Sequence, residues 1–381
     1  MTTKLVKNKF ARKISSRLRL QLKRKHIDKK SAPNRKSPWS TGLRHAKSRI
    51  IKVTAPRRIN IYNDKDAVKT IHFINELKSS VKEASKNPDT TKVMVCFEQS
   101  YGTEAAAAVY LYAQLSRLTM RYPNVKFSIQ RPKHTSKPEK IKSTLDEVLN
   151  RLGIYKLLGL SLGRLKEGPS VKCWNIFSSD KVDMEGVMEI LDYTLENHDK
   201  IEDKVYRGLS EAISNAADHA YSSNIKSDAD LSLQKYWFLS AVYDNELYVI
   251  VCDLGHGIPY TLGHTQTTKN KNILNKLFDI ISREDSTNKH KNVSKKNHAN
   301  MIHAATLVKE TRTKLDYRGK GGADLRRIVN DNEGAEMTII SRKGRYSYGI
   351  KSKKASSKKE RRHAIDGTVV GWSIPLTGEK Q

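Results

Sequence analysis

The stretch QKYWFLSAVYDNELYVIVCDLG, residues 234–255, decides the fold of the C-terminal half. Two apolar runs of strand length flank Asp244–Asn245, a dipeptide that favours the tight turn of a β-hairpin. The second run ends at Asp253, and Gly255 and Gly257 follow at two-residue steps. A carboxylate there can accept a hydrogen bond from an amine such as that of adenine, and glycines let the backbone approach a ligand closely. The pattern predicts two antiparallel strands with a candidate site at their end; an ordinary turn after a strand is the alternative.

The segment LSEAISNAADHAY, residues 209–221, lies before this hairpin and is predicted to be helical. Glu211, Asn215 and His219 follow one another at four-residue steps, so they share one helical face. A carboxylate can align or deprotonate a hydroxyl or a water, and an amide oxygen is a hard ligand for Mg²⁺. The same spacing also suits a solvated polar face, which is the structural alternative.

A third segment, YRGKGGADLRRIV (317–329), follows the hairpin and joins a glycine-rich turn to a helix. Free backbone N–H groups at a helix start favour a phosphate, and Lys320 and Arg318 add positive charge. The turn lacks the Gly-Lys-Ser/Thr of a P-loop, so on its own it is weak support for a phosphate site.

These segments, in this order and separation, resemble the N, G1 and G2 boxes of the GHKL ATPases, the family of gyrase, chaperone, histidine-kinase and MutL nucleotide pockets. EAISNA (211–216) is similar to the N box, DLGHGIP (253–259) to the G1 box and RGKGGADL (318–325) to the G2 box. GTVVGWSIPL (367–376) resembles the closing strand. The amino-acid pattern of these motifs is most similar to that of anti-sigma-factor serine kinases and sensor histidine kinases. The resemblance implies an α/β fold, a two-layer sandwich of the Bergerat type with a mostly antiparallel sheet.

The resemblance also implies roles for these residues, with ATP and Mg²⁺ as cofactors. Asn215 would hold Mg²⁺, and Glu211 would be the general base or its positioning partner. Asp253 would accept a hydrogen bond from adenine, and His219 would contact the nucleotide. The remaining predicted contacts are Gly255 and Gly257 beside the base, Gly319, Lys320, Gly321 and Gly322 around the phosphates, and Thr368 supporting the adenine-side carboxylate.

Two departures from the family pattern bear on turnover more than on binding. Asp218 occupies a place where many histidine kinases carry a cation. Gly322-Ala323-Asp324 stands where an apolar–Gly–apolar run is usual. The sequence therefore leaves the enzyme class open between an ATPase and a serine/threonine protein kinase of GHKL type.

The N-terminal half alternates predicted strands and helices over residues 57–178, which indicates a layered α/β domain. Its order weakly resembles the STAS fold of anti-sigma antagonists. In that family a serine before the central helix can accept a phosphoryl group, and Ser100 lies near that place, although a helix-capping turn is the alternative. His72 lies on a predicted helix without the flanking residues of a phosphoacceptor histidine.

Positive charge is concentrated outside the predicted folded parts. The chain has 381 residues and a net charge of +31, and residues 1–60 hold 20 Lys and Arg with a single acid, Asp28. Such a density is typical of a disordered arm and also suits an anionic partner such as nucleic acid. The three cysteines show no paired spacing, which fits a reducing cytoplasm. No apolar run is long enough to span a membrane.

The sequence thus predicts three parts: a basic arm (1–56), a STAS-like α/β domain (57–178) and a GHKL ATP-binding domain (179–378) whose polar stretch 264–318 would be the ATP lid. The leading hypothesis is a cytoplasmic regulator that binds Mg-ATP and uses nucleotide state to control a partner or the docking of its domains. An active serine/threonine kinase and an ATP-gated nucleic-acid-binding protein are the alternatives. The sequence does not identify the partner or the oligomeric state.

Overall fold

The structure is a computed structural model. It describes residues 49–133, 144–160, 174–196, 201–263, 275, 297–307, 322–350 and 355–376. Residues 1–48, most of the predicted arm, lie outside that set. The arm prediction is wrong at its C-terminal end, because Arg49–Thr54 is a β-strand. Ile51 and Val53 alternate there with polar residues, a pattern that the surrounding positive charge obscures.

The strands, in chain order, are β1 (Arg49–Thr54), β2 (Arg58–Ile59), β3 (Thr91–Cys96), β4 (Gly102–Thr103), β5 (Lys126–Gln130), β6 (Asn175–Ser179), β7 (Tyr236–Tyr243), β8 (Glu246–Asp253), β9 (Glu336–Ser341), β10 (Gly344–Ile350), β11 (Ala355–Glu360) and β12 (Thr368–Pro375).

The helices are α1 (Asp64–Ala84), α2 (Ala105–Arg121), α3 (Thr144–Arg151), α4 (Ile154–Leu157), α5 (Met184–Thr194), α6 (Glu202–Ser214), α7 (Ile258–Gly263), α8 (His298–Leu307) and α9 (Gly322–Asp331). A π-helical turn, Asn215–His219, continues α6.

Seven strands form one sheet in the order β11-β10-β9-β12-β8-β7-β6, and every neighbouring pair is antiparallel. The predicted hairpin is β7–β8, next to the edge strand β6, and at its turn Asp244 and Asn245 both have positive φ, 54° and 59°. Those angles suit the primed turns that match strand twist. The predicted α/β class with a mostly antiparallel sheet is therefore confirmed at this level.

Both faces of the large sheet are buried. On one face, Phe238 and Val249 share a core with residues of α5, α6 and α9. On the other, Trp237 and Ile250 share a core with residues of the N-terminal part. Because alternate side chains of β7 enter different cores, β7 is apolar almost throughout rather than alternating.

The N-terminal part contains a second sheet, in which β1, β3 and β5 run parallel. Helix α1 packs on β1 and β3, whereas α2 packs on β7 and β8 of the large sheet. The alanines of α2, which are buried along its first turn and beyond, permit this close approach. The N-terminal part and the large sheet consequently share one hydrophobic core. Among the described residues, no helix is long and apolar enough to cross a membrane.

Candidate functional site

The carboxylate of Asp253 is buried at the end of β8. Asp253 is 6% exposed, and the Gly255 N–H donates to its Oδ1 at 2.9 Å. Thr368 lies directly opposite in β12 and hydrogen-bonds the carboxylate through its backbone and hydroxyl groups. Burial raises the pKa of Asp253 to about 7 against these hydrogen bonds, and no cation of the described residues contributes to the shift. The strand therefore ends in a carboxyl group that receives few hydrogen bonds and has no counter-ion among the described residues.

The loop after Asp253 requires glycine at both predicted positions. A Cβ on Gly255 would lie 2.1 Å from the carbonyl oxygen of Ala220, so the loop touches the end of the preceding helical segment. Gly257 has a φ of +87°, a conformation that L side chains rarely adopt. The His256 N–H also donates to the Ala220 oxygen at 2.8 Å, which ties the loop to the helix end.

Glu211 and Asn215 interact directly where α6 ends. The Asn215 amide donates to Glu211 Oε1 at 2.8 Å, which leaves the amide oxygen of Asn215, an exposed residue, open to solvent. Burial raises the pKa of Glu211, the Asn215 hydrogen bond lowers it, and the charge of Asp324 in α9 raises it further. A raised pKa on a partly buried carboxyl group suits proton transfer near neutral pH.

His219 lies at the end of a π-helical turn. The prediction that Glu211, Asn215 and His219 share one face assumed a continuous α-helix, but Asn215–His219 is π-helical. A π turn holds more residues per turn than an α turn, and a four-residue step is still close to one full turn. His219 is exposed and lies close enough to Glu211 to lower its pKa slightly.

Helix α9 brings part of the predicted phosphate segment to α6. A Cβ on Gly208 of α6 would lie 2.8 Å from the carbonyl oxygen of Asp324, so the two helices are in close contact. Gly322, the first residue of α9, packs against the backbone of Ala305 and Thr306. Gly319, Lys320 and Gly321 lie outside the described residues. The structure thus brings α6, which carries Glu211, next to the start of α9.

The predicted lid is in part a buried helix. Residues 298–307 form α8, in which Ile302 and His303 are buried against β10 and β11. This differs from a polar loop over the whole of 264–318. The helix lacks a clear amphipathic pattern because it is covered on several sides.

Several residues that support the site were not predicted from the sequence. Ser341 Oγ contacts Thr368 Oγ1 at 2.9 Å and accepts a hydrogen bond from the Ile258 N–H at 2.9 Å. These contacts connect the loop at Gly255–Gly257 to β9 and β12. The Tyr221 hydroxyl accepts a hydrogen bond from the Leu254 N–H at 3.0 Å. No spacing in the sequence links either residue to Asp253.

A cation also lies beside the glycine loop. The Arg342 guanidinium contacts Asp228 at 2.5 Å and lies over the Tyr260 ring, 5.1 Å from its centroid. Its Cγ would be 2.8 Å from a Cβ on Gly257. Arg342 therefore brings positive charge close to the loop at Gly257.

Ser100 is buried, at 4% exposure, and its hydroxyl donates to the Pro56 carbonyl oxygen at 2.7 Å. It does not cap α2, whose N-cap is Glu104. His72 is exposed on α1. Ser100 therefore has a structural hydrogen bond in place of the predicted capping role.

No protein-family model matches the chain, and no curated protein or solved structure is significantly similar to it. Among the described residues, no group of three or more His, Cys, Asp or Glu side chains is arranged to hold a metal ion.

Proposed function

We propose that the chain binds ATP with Mg²⁺ through a GHKL-type pocket and uses nucleotide state to control a partner or the docking of its N-terminal part. The proposal includes a Bergerat-type sandwich for residues 179–378 and a STAS-like arrangement for 57–178. The observation that carries it is the environment of Asp253. A buried carboxyl group to which the described residues offer no counter-ion, beside the closely packed loop at Gly255–Gly257, suits a neutral group that donates a hydrogen bond, such as the amino group of adenine.

The neighbouring residues fit the remainder of the ligand. Asn215 would contribute an amide oxygen to Mg²⁺, which usually keeps phosphates and waters as its other ligands. Glu211 would orient or deprotonate the attacking oxygen, and Thr368 with Gly255 would hold the Asp253 carboxylate in place. Mg-ATP would supply the transferable phosphoryl group and the metal charge that neutralises it.

The connection between Thr368 and the N-terminal part supports a regulatory role. Asp366, two residues before Thr368, contacts Lys78 Nζ at 2.5 Å and pairs with the buried Arg117 guanidinium. A nucleotide that shifts the start of β12 would therefore act directly on α1 and α2. Transmission of this kind requires two packed states with different affinities for the ligand.

Phosphoryl transfer or hydrolysis is a second candidate, and the state of Glu211 favours it. Its pKa is raised by burial, and its hydrogen bond to Asn215 holds it beside the proposed metal ligand. A passive switch has no need of a general base at that point.

Calorimetric titration of the full chain with ATP in excess Mg²⁺ tests the proposal. We expect Asp253→Asn to lower affinity by about 30- to 1,000-fold, because a charge-assisted hydrogen bond is lost and a donor is mismatched. Asp230→Asn is the matched control, since Asp230 pairs with Arg121 in a partly exposed position. The pocket assignment fails if both variants bind ATP as the wild type does. Assays for ADP and for autophosphorylation on the same samples separate a switch from an enzyme.

A further inference from the structure

One face of the parallel sheet carries exposed lysines. Val53, Val93 and Val95 point into the core, whereas the side chains on the other face include Lys52, Lys92 and Lys126, all exposed. We call this second face the lysine face. It is covered at Cys96, which is 1% exposed, whereas Ile50 at its edge is 51% exposed.

The positive charge of the lysine face is only partly offset by acids. Lys92 and Lys126 are directly opposite each other in neighbouring strands, and Lys52 lies on the same face, opposite Met94. Like charges at opposed positions destabilise a sheet. Asp89 and Glu98 are the only described acids within 4.0 Å of these lysines, and Asp89 is almost fully exposed. An anionic partner would relieve the repulsion.

A cation-lined cavity of about 370 Å³ lies beyond the end of β1. Its lining consists of Arg57, Arg58, Lys69, Tyr101 and a single acid, Asp66. Within the described part of the chain, none of its three cations takes part in an ion pair. The Tyr101 ring is 59% exposed, so its face is open to a planar ligand.

The backbone around this cavity is held in place before any ligand arrives. The Tyr101 N–H donates to the Arg57 carbonyl oxygen at 2.9 Å. Arg58 pairs with Gly102 between β2 and β4. The arginines and the tyrosine are thus presented from one fixed loop pair, which limits the ordering cost of binding.

Thr54 lies between the lysine face and the cavity. Thr54 lies two residues after Lys52 on the same face of β1. It lines a neighbouring cavity of about 400 Å³ that shares Lys69 with the first. The cations therefore form one path along the sheet and around the end of β1.

We propose that this surface, defined by Lys52, Lys92, Lys126, Arg57, Arg58, Lys69 and Tyr101, binds single-stranded nucleic acid. The lysines and arginines would contact successive phosphates, and a base would stack on Tyr101. An exposed aromatic ring within a basic track is the usual arrangement for single strands. In a duplex the bases are stacked on each other and do not reach the ring. The proposal is independent of ATP binding.

The test uses the full chain and a 5′-fluorescein-labelled 12-nucleotide oligo(U), with anisotropy measured over a range of salt concentrations. In the triple variant Lys52→Ala, Lys92→Ala, Lys126→Ala, we expect the slope of log affinity against log salt to become less negative by about 2. Each phosphate contact of a single strand contributes about 0.7 to that slope.

The matched control replaces Lys181, Lys226 and Lys343, three exposed lysines outside this surface, by Ala. It removes the same charge and should leave the slope unchanged. Circular dichroism checks the fold of both variants. Equal slopes in the two triple variants would overturn the proposal, because a general charge effect, including that of the basic N-terminal residues, would explain them.

Tyr101 provides an independent readout. Tyr101→Ala should weaken oligo(U) binding about fivefold or more, whereas Tyr101→Phe, which keeps the stacking ring, should bind like the wild type. An affinity unaffected by Tyr101→Ala would contradict base stacking. Tighter binding of poly(Glu) than of oligo(U) at equal charge would assign the surface to an acidic protein and overturn the nucleic-acid proposal.

Discussion

Asp253, buried at the end of β8, and Asp366, partly buried just before β12, are carboxyl groups whose surroundings have opposite effects on their pKa values. Asp366 accepts a hydrogen bond from Gln114 at 3.0 Å and pairs with Lys78 and Arg117. Burial alone would raise the pKa of Asp366, but the two cations hold it well below its ordinary value. No cation among the described residues lowers the pKa of Asp253, and burial raises it to about 7.

The difference separates a structural joint from the carboxyl group that we propose to bind adenine. At Asp366, residues from α1 and α2 complete the hydrogen bonds and charges, so the carboxylate links the N-terminal part to the large sheet. At Asp253, the described residues supply hydrogen-bond donors, and no cation among them lowers the pKa. Burying a carboxyl group in that state reduces the stability of the fold, and under our proposal a ligand that donates a hydrogen bond would offset the loss.

The largest effect is expected for Asp366→Asn. It leaves the Arg117 guanidinium, 3% exposed, buried without its counter-charge. Breaking a buried pair in this way costs about 3–5 kcal/mol, which we expect as a loss in the free energy of unfolding measured by urea denaturation. Asp230→Asn, which breaks a partly exposed pair with Arg121, should cost less than about 1 kcal/mol. Equal losses would show that Asp366 is not a joint.

The pH dependence of the Asp366 contribution has a definite sign. Because the folded pKa is depressed, the contribution is present above the ordinary carboxyl pKa of about 4 and is lost as the pH falls below it. The stability difference between wild type and Asp366→Asn should therefore shrink in acid.

Asp253→Asn should have the opposite effect on stability. Its folded pKa, about 7, exceeds the unfolded value of about 4, so between these values the folded state binds the extra proton and wild-type stability falls as pH rises. Asp253→Asn has no carboxyl group at this position, so its stability does not fall with pH for this reason. Its stability relative to wild type should rise by about 2–3 kcal/mol between pH 5 and pH 7 in urea denaturation.

Glu104, whose pKa burial also raises to about 7, is present in both proteins and cancels in that comparison. If the difference in the free energy of unfolding between wild type and Asp253→Asn did not change with pH, Asp253 would have a counter-charge in the folded state.

Glu211 is an intermediate case, partly buried and bonded to one amide. We expect Glu211→Ala to reduce ATP turnover by at least about a hundredfold, because a general base typically contributes 10²–10⁴-fold. ATP affinity should stay within about tenfold of wild type. Steady-state ADP release and calorimetry on the same preparation measure the two effects. Joint loss of binding and turnover would make Glu211 a structural residue.

Local sequence patterns predicted the β7–β8 hairpin, because its apolar runs and its Asp244–Asn245 turn are formed by residues adjacent in sequence. The edge strand β11 was not predicted, since Ala355–Glu360 is polar and mostly exposed, as edge strands often are. The π turn was missed for a different reason. It is associated with contacts between Ala220 and the loop at Gly255, which no local periodicity encodes.

The sequence indicates the motif residues of the candidate site, but not the residues that contact them. Glu211, Asn215, Asp253 and their glycines stand in short recognisable segments. The ion pair between Asp366 and Arg117 could not be predicted from the sequence. The two residues are 249 positions apart, and an isolated acid before a glycine does not indicate which cation it will contact. Long-range charge pairing is determined by packing, which the sequence pattern predicts only coarsely.

The smallest expected effect concerns ligand binding at the two carboxyl groups as pH changes. Adenosine carries no phosphate to titrate near neutrality, so its affinity reports on the base-binding end of the pocket. Protonation of Asp253 removes the acceptor that we assign to the adenine amino group. With a pKa of about 7 in the free protein, lowering the pH from 8 to 6 should weaken adenosine binding by about tenfold. Asp253→Asn should show no such dependence. Asp366→Asn, provided that it remains folded at both pH values, should keep it. If wild-type affinity were the same at pH 6 and pH 8, Asp253 would not be the group that reads adenine, and the contrast between the two carboxyl groups would concern folding alone.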